Sequence, residues 1–213
     1  MKTIQFLVSV IFLMASVLSC NSEKPSGIKD NPEKKEPAVS PASAGANSSN
    51  PMLEENLRKA AMEGNITSVQ YLISKNVNVN APDPDGRTAM MLAAFNGHTD
   101  IVKALIDRGS PVNKTDQAGR TALIYAATGP FAETAKLLLS HKADPNIVDT
   151  EERFTALMFA ASEGHLEVVK VLITNKANPL LKDKDNDDAE AFARRNGHNE
   201  VADFLRKSMN SLK

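Results

Sequence analysis

Thr88-Ala89-Met90-Met91-Leu92-Ala93-Ala94 is answered 33 residues later by Thr121-Ala122-Leu123-Ile124-Tyr125-Ala126-Ala127. It returns 34 residues after that as Thr155-Ala156-Leu157-Met158-Phe159-Ala160-Ala161. A second phrase trails each of these: Val102-Lys103-Ala104-Leu105-Ile106, Ala135-Lys136-Leu137-Leu138-Leu139 and Val169-Lys170-Val171-Leu172-Ile173. Self-similarity at this period means a stacked array of one supersecondary unit.

The unit can be built from its residues. Thr88 suits a helix N-cap, because its hydroxyl accepts a backbone N–H from the first turn. The small and apolar residues after it suit a short, mostly buried helix. Gly97 permits a tight turn at low steric cost. A second helix starts near Thr99, with Asp100 in its first turn, where the helix dipole favours an anion. Val102, Leu105 and Ile106 lie at i, i+3 and i+4 and form one apolar stripe. Gly109 suits a left-handed cap, and the polar run Asn113 to Gly119 suits a projecting hairpin. One such unit has too little core to stand alone, so it must stack on its neighbours.

At these residues the chain resembles the ankyrin-repeat proteins. The Thr-Ala-Leu/Met-Met/Ile-x-Ala box, the turns Gly97-His98, Gly164-His165 and Gly197-His198, and the pairs Asn80/Asp83, Asn113/Asp116 and Asn146/Asp149 all fall at that family's offsets. The family's box Pro and His are absent. The resemblance covers roughly residues 52 to 208. It implies an all-α solenoid of about five helix-turn-helix units with short β-hairpin-like connections, occupying 51–213.

Outward from the repeats, the rest of the chain divides cleanly. Ile4 to Leu18 is an apolar run interrupted by Gln5, Ser9 and Ser16. It is short for a membrane span and fits the core of an export signal, so 1–19 read as a signal peptide. Cys20, the only cysteine, follows directly. This resembles a bacterial lipoprotein signal, which implies lipidation at Cys20; an ordinary secretory signal is the alternative. The stretch 20–50 carries Pro25, Pro32, Pro37 and Pro41 among Ser, Ala and Asn, and is expected to be a disordered tether.

The copies also differ. The first helix of repeat one, Leu53 to Met62, is polar enough for a terminal cap. In repeat three Gly97-His98 becomes Pro130-Phe131, and Gly129 is the residue free to take a left-handed position there. Lys142 and Lys176 replace Gly109, at a cost on the order of 1 kcal/mol each if the backbone stays left-handed. Repeat four has one extra residue within Thr150-Glu151-Glu152-Arg153. The fifth unit lacks the Thr box, and Arg194 replaces its second alanine, so it reads as a C-terminal cap.

The chemistry excludes several classes. A net charge of -1 over 213 residues does not suit nucleic acid. His98, His165 and His198 recur one repeat apart or more, too far to share a metal at about 2 Å. Asp183 to Asp188 starts like a calcium loop, but Asp188 stands where Gly is required and Arg194 where Glu is required. No phosphate loop, nucleophile elbow or catalytic constellation is present. The expectation is no enzyme, no cofactor and no metal.

What remains is binding to a protein. The resemblance implies a surface of hairpin tips, at Arg87, Arg120 and Phe154, and of inner-helix positions Leu92, Tyr125 and Phe159, with Phe95 and Asn96 near the helix ends. Tyr125 and Phe159 either meet a partner or complete the packing between helices. The expected protein is a bacterial monomer, lipid-anchored in the cell envelope with the outer membrane favoured, acting as adaptor or inhibitor of one partner. A surface lipoprotein binding a host protein and a structural envelope component are the alternatives.

Overall fold

The computed structural model describes residues 50–210; the expectations placed on the signal peptide, Cys20 and the tether up to residue 49 lie outside them. Among the described residues there are ten helices and no strand. They alternate as inner and outer members of five pairs: α1 Pro51–Met62 and α2 Ile66–Ser74, α3 Ala89–Phe95 and α4 Thr99–Asp107, α5 Ala122–Ala127 and α6 Ala132–Ser140, α7 Ala156–Ser162 and α8 Leu166–Thr174, α9 Ala189–Arg195 and α10 Asn199–Asn210. Each inner helix packs on its own outer helix and on the next inner helix, and the outer helices stack likewise. The chain is thus a two-layer, all-α solenoid.

The caps explain where the helices begin. Thr88, Thr121 and Thr155 accept the backbone N–H groups of Met91, Ile124 and Met158 at 3.4, 3.3 and 3.2 Å. Asp188 does the same for Ala191 at 3.0 Å, so the fifth unit keeps the cap with a different residue. Buried Leu105, Leu138, Leu172 and Leu205 form a column along the outer layer, and each contributes about 1.5–3 kcal/mol by leaving water.

The turn between helices is left-handed at Gly64, Gly97, Gly164 and Gly197. At three of these glycines the absent Cβ serves a second purpose, because an aromatic ring from the following unit lies against the backbone. The His98 ring covers Gly64, the Phe131 ring covers Gly97, and the His198 ring covers Gly164. In repeat three Gly129 does not take the left-handed position, contrary to expectation. Instead Phe131 occupies the place of the histidine ring, and its far edge also closes over Gly129. Lys142 and Lys176 do hold φ of 68° and 70°.

Side chains sew the loops together. Asn113 accepts the N–H of Asp144 at 2.8 Å and donates to the Lys142 carbonyl at 3.0 Å. Asn146 accepts from Asn178 at 2.8 Å, one unit on. Asn80 is the same residue one unit earlier, yet its Oδ1 is buried without a partner. The residue at the matching offset is Pro111, which has no N–H to give. The fifth unit ends the stack with charge: Glu190, buried at the place of Met90 and Leu157, pairs with Arg194 and with Arg206 at 3.1 Å.

Two stability predictions follow from the turns and the unpaired asparagine. Gly97→Ala meets both the left-handed penalty of roughly 1–2 kcal/mol and the Phe131 ring, whereas Gly109→Ala at φ 83° has open space around it and meets only the first. The urea midpoint of Gly97→Ala is therefore expected to fall clearly further than that of Gly109→Ala. Pro111→Asn supplies the missing donor to Asn80, worth about 1–3 kcal/mol, and forgoes about 0.4–1 kcal/mol of proline rigidity in the unfolded chain. The expected outcome is a higher midpoint by denaturant titration.

Candidate functional site

Successive units are joined by tight hairpins that all carry the same aspartate. Asp83, Asp116 and Asp183 accept the backbone N–H of Arg87, Arg120 and Asp187 at 2.8, 2.8 and 2.7 Å. Asp149 spans its extra residue and accepts from Glu152 and Phe154, both at 3.0 Å. The crests then touch one another through single backbone bonds. Gln117 donates to the Asp85 carbonyl at 3.0 Å, Thr150 to Ala118 at 2.9 Å and Lys184 to Glu152 at 3.1 Å.

This geometry corrects the placement of Arg87, Arg120 and Phe154. They stand on the returning arm of each hairpin, just before the N-cap, and not at its tip. The tips are Pro84–Asp85, Gln117–Ala118, Thr150–Glu152 and Lys184–Asp185. The returning arm lies against the inner helices, so its side chain is drawn into packing. Arg87 is 11% exposed and binds Asp83 at 2.7 Å and Asp85 at 2.9 Å. Burial works against its charge, but the hydrogen bond to Asp83 and the charges of Asp83 and Asp85 outweigh it and hold the guanidinium above its ordinary pKa. Arg120 is 14% exposed; it reaches the following hairpin, binding Glu151 at 2.9 Å and lying 3.7 Å from a fully buried Asp149 oxygen. Phe154 is 9% exposed, with its ring edge-on to Phe159 at 5.4 Å and to Phe192 at 4.8 Å.

The inner-helix positions are equally closed. Leu92, Tyr125 and Phe159 retain 6, 7 and 6% exposure. The Tyr125 hydroxyl donates to Asp116 at 2.7 Å. Burial, followed by this bond to a carboxylate, raises its pKa far above the usual tyrosine value. Phe95 is half-buried, edge-on to Tyr125 with ring centres 6.1 Å apart. Asn96 is half-buried and donates to the Met62 carbonyl at 2.7 Å. The Arg120 guanidinium lies 6.0 Å from the Phe159 ring centre.

The eight candidates therefore lie on the inner helices, at their ends and on the hairpin arms that lead into them. Arg87, Phe95, Asn96 and Arg120 keep part of their surface open, while Leu92, Tyr125, Phe154 and Phe159 lie beneath. Two further residues belong to this set. Phe192 occupies the place of Phe159 one unit on, and Arg195 sits 5.3 Å from its ring centre while pairing with Asp187. Continuing the register through the fifth unit finds Phe192; the missing Thr box hides it. His98 and His165 bring Nε2 within 3.2 and 3.3 Å of the Met62 and Thr128 carbonyls, tying neighbouring turns together. Among the described residues no cluster of His, Cys, Asp or Glu could hold a metal ion, and no helix is long and apolar enough to cross a membrane.

Comparison with known families gives a match. A family model described as Ankyrin repeats (3 copies) aligns with residues 57–149 and again with 130–212. No curated protein matches the chain.

The buried tyrosine makes a pH test possible. Its folded-state pKa lies above the unfolded value near 10, so its contribution to stability is complete below that pH and is lost as pH rises through the folded value. Between about pH 9 and about pH 11 the unfolding free energy of the natural chain is expected to fall more steeply than that of Tyr125→Phe. The slope difference approaches about 1.4 kcal/mol per pH unit, read from urea titrations at each pH.

Proposed function

The chain belongs to the ankyrin-repeat family, a family of protein-interaction modules and not of enzymes, and from that premise we propose that its repeat array captures one specific protein partner. The observation that carries this reading is a set of partly exposed side chains held in place by their neighbours. Arg87 is fixed by Asp83 and Asp85, Arg120 by Glu151, and Phe95 by the ring of Tyr125. Groups already locked in place lose little rotamer freedom on binding, which is where affinity is otherwise lost. Exposed Asp85, Gln117 and Glu151 add a polar rim on the hairpin crests, in keeping with the wet edge of a binding surface.

In this proposal the array is a monomer tethered at one end. Export along the apolar run 4–18, acylation of Cys20 and the Pro-rich stretch up to residue 50 place it at a bacterial envelope membrane, the outer membrane by preference. There it acts as an adaptor or as an inhibitor that sequesters its partner. The support is the sequence alone: one cysteine, placed two residues past the end of an apolar run of signal-peptide length.

One experiment with the full-length chain tests both halves. Affinity capture from envelope extract, read by mass spectrometry, is expected to enrich one protein. Phe95→Ala is expected to lose it while the chain still folds, the ring pair being worth about 0.5–1.5 kcal/mol beyond the area that the half-buried ring covers. Lys103→Ala and Lys136→Ala, exposed on α4 and α6, are expected to keep it. Cys20→Ala is expected to leave the membrane fraction, since burial of acyl chains supplies the anchor. Equal capture by Phe95→Ala and the natural chain would refute the binding surface; retention of Cys20→Ala with membranes would refute the tether.

A further inference from the structure

Asparagine precedes glycine twice in this chain, at Asn96-Gly97 and Asn196-Gly197. Both pairs occupy the same turn of the repeat, and both asparagines clamp the preceding unit. Asn96 Nδ2 donates to the Met62 carbonyl at 2.7 Å, and Asn196 Nδ2 donates to the Ser162 carbonyl at 2.8 Å and to its hydroxyl at 2.9 Å. The first clamp joins repeat two to the first repeat; the second joins the last unit to repeat four. At the two interior interfaces the equivalent residues are Gly129 and Glu163, which have no side-chain amide to donate. The clamps are therefore confined to the two ends of the array.

Asn-Gly is also the dipeptide most open to self-reaction, because no Cβ shields the glycine nitrogen. That nitrogen attacks the asparagine side-chain carbonyl carbon. A new C–N bond forms, the bond to the side-chain nitrogen breaks, and ammonia leaves carrying the glycine proton. Water then opens the five-membered imide to aspartate or isoaspartate, so the sequence needs no other reactant. In the closed array both groups are engaged. The leaving nitrogen is held by the carbonyl of the neighbouring unit, and the Gly97 and Gly197 N–H groups donate to Ala94 and Arg194 at 3.2 and 3.1 Å.

We propose that Asn96 and Asn196 are deamidation sites gated by opening of the array at its two terminal interfaces together with the Asn-Gly turn there, and that reaction at either one prevents the opened interface from docking again. The product carboxylate accepts hydrogen bonds and gives none, so it faces the Met62 or Ser162 carbonyl oxygen with repulsion in place of a bond. Isoaspartate further lengthens the backbone next to a left-handed glycine at φ 71° or 82°. Terminal units open more often than interior ones, so the chain records how often its ends have frayed.

The test incubates the full chain in mildly alkaline buffer, with and without urea, and follows both sites by peptide mass spectrometry. In the folded chain both reactions are expected to run at least about tenfold slower than in urea, in proportion to the population of opened ends. Sub-denaturing urea is expected to accelerate them before global unfolding begins. Asn96→Asp and Asn196→Asp are each expected to melt below the natural chain, and below the matching Asn→Ala variant. Equal rates in folded and unfolded chains, or Asn→Asp variants that melt with the natural chain, would overturn the proposal. Should an Asn→Asp variant not fold, the dependence of the natural chain's rates on sub-denaturing urea decides alone.

Discussion

The close approach of consecutive inner helices is the contact on which everything else depends. Ala93-Ala94, Ala126-Ala127 and Ala160-Ala161 are fully buried at that seam. A larger side chain there would force the helices apart, and overpacking in a closed core is costly. Short inner helices, threonine caps buried at their starts and alanine pairs at their ends all follow from keeping the seam narrow. Arg194 ends the stack for the same reason: its exposed guanidinium, tied to Glu190, leaves no flat face for another unit. The seam explains why the chain repeats at all, since one unit exposes on each side what only a neighbour can cover.

Much of this could be read from the chain because the period reports equivalence. The threonine caps, the left-handed positions at Gly97, Gly109, Asn76, Lys142 and Lys176, and the Asn–Asp offsets of the hairpins all lie where the register puts them. What the period cannot report is the direction a side chain takes. Arg87, Arg120 and Phe154 share a register position, and nothing in it distinguishes a hairpin crest from the arm that lies against the helices. Partners some 30 residues away are equally silent: Asn80 looks like Asn113 until Pro111 is seen to occupy the donor's place. The set also reaches further than the repeat box suggests, because Phe192 keeps the aromatic position in a unit whose cap is Asp188.

Departures from the repeat come in matched sets. Thr134 replaces an apolar residue in the buried column of Ile101, Val168 and Val201, and its hydroxyl meets that of Thr99 at 2.6 Å. Phe131 replaces a histidine and loses the hydrogen bond its ring could make, but it fills the same space against Gly97 and adds a contact to Gly129. A buried hydroxyl without a partner, or a ring-sized gap, would each cost about 1 kcal/mol or more. An interface between nearly identical units lets such changes be compensated across it, which is how the copies can diverge in sequence while their stacking is preserved.

The backbone bonds between hairpin crests have a mechanical consequence. Gln117 to Asp85, Thr150 to Ala118 and Lys184 to Glu152 run along the length of the array, one between each two adjacent hairpins. Units that touch only their neighbours transmit tension in series, so a pull between the ends loads every crest bond alike. Tilting of helix pairs about the alanine seams would then lengthen the array without unfolding it, as a coil spring lengthens. Such an array would be compliant along its axis and stiff across it.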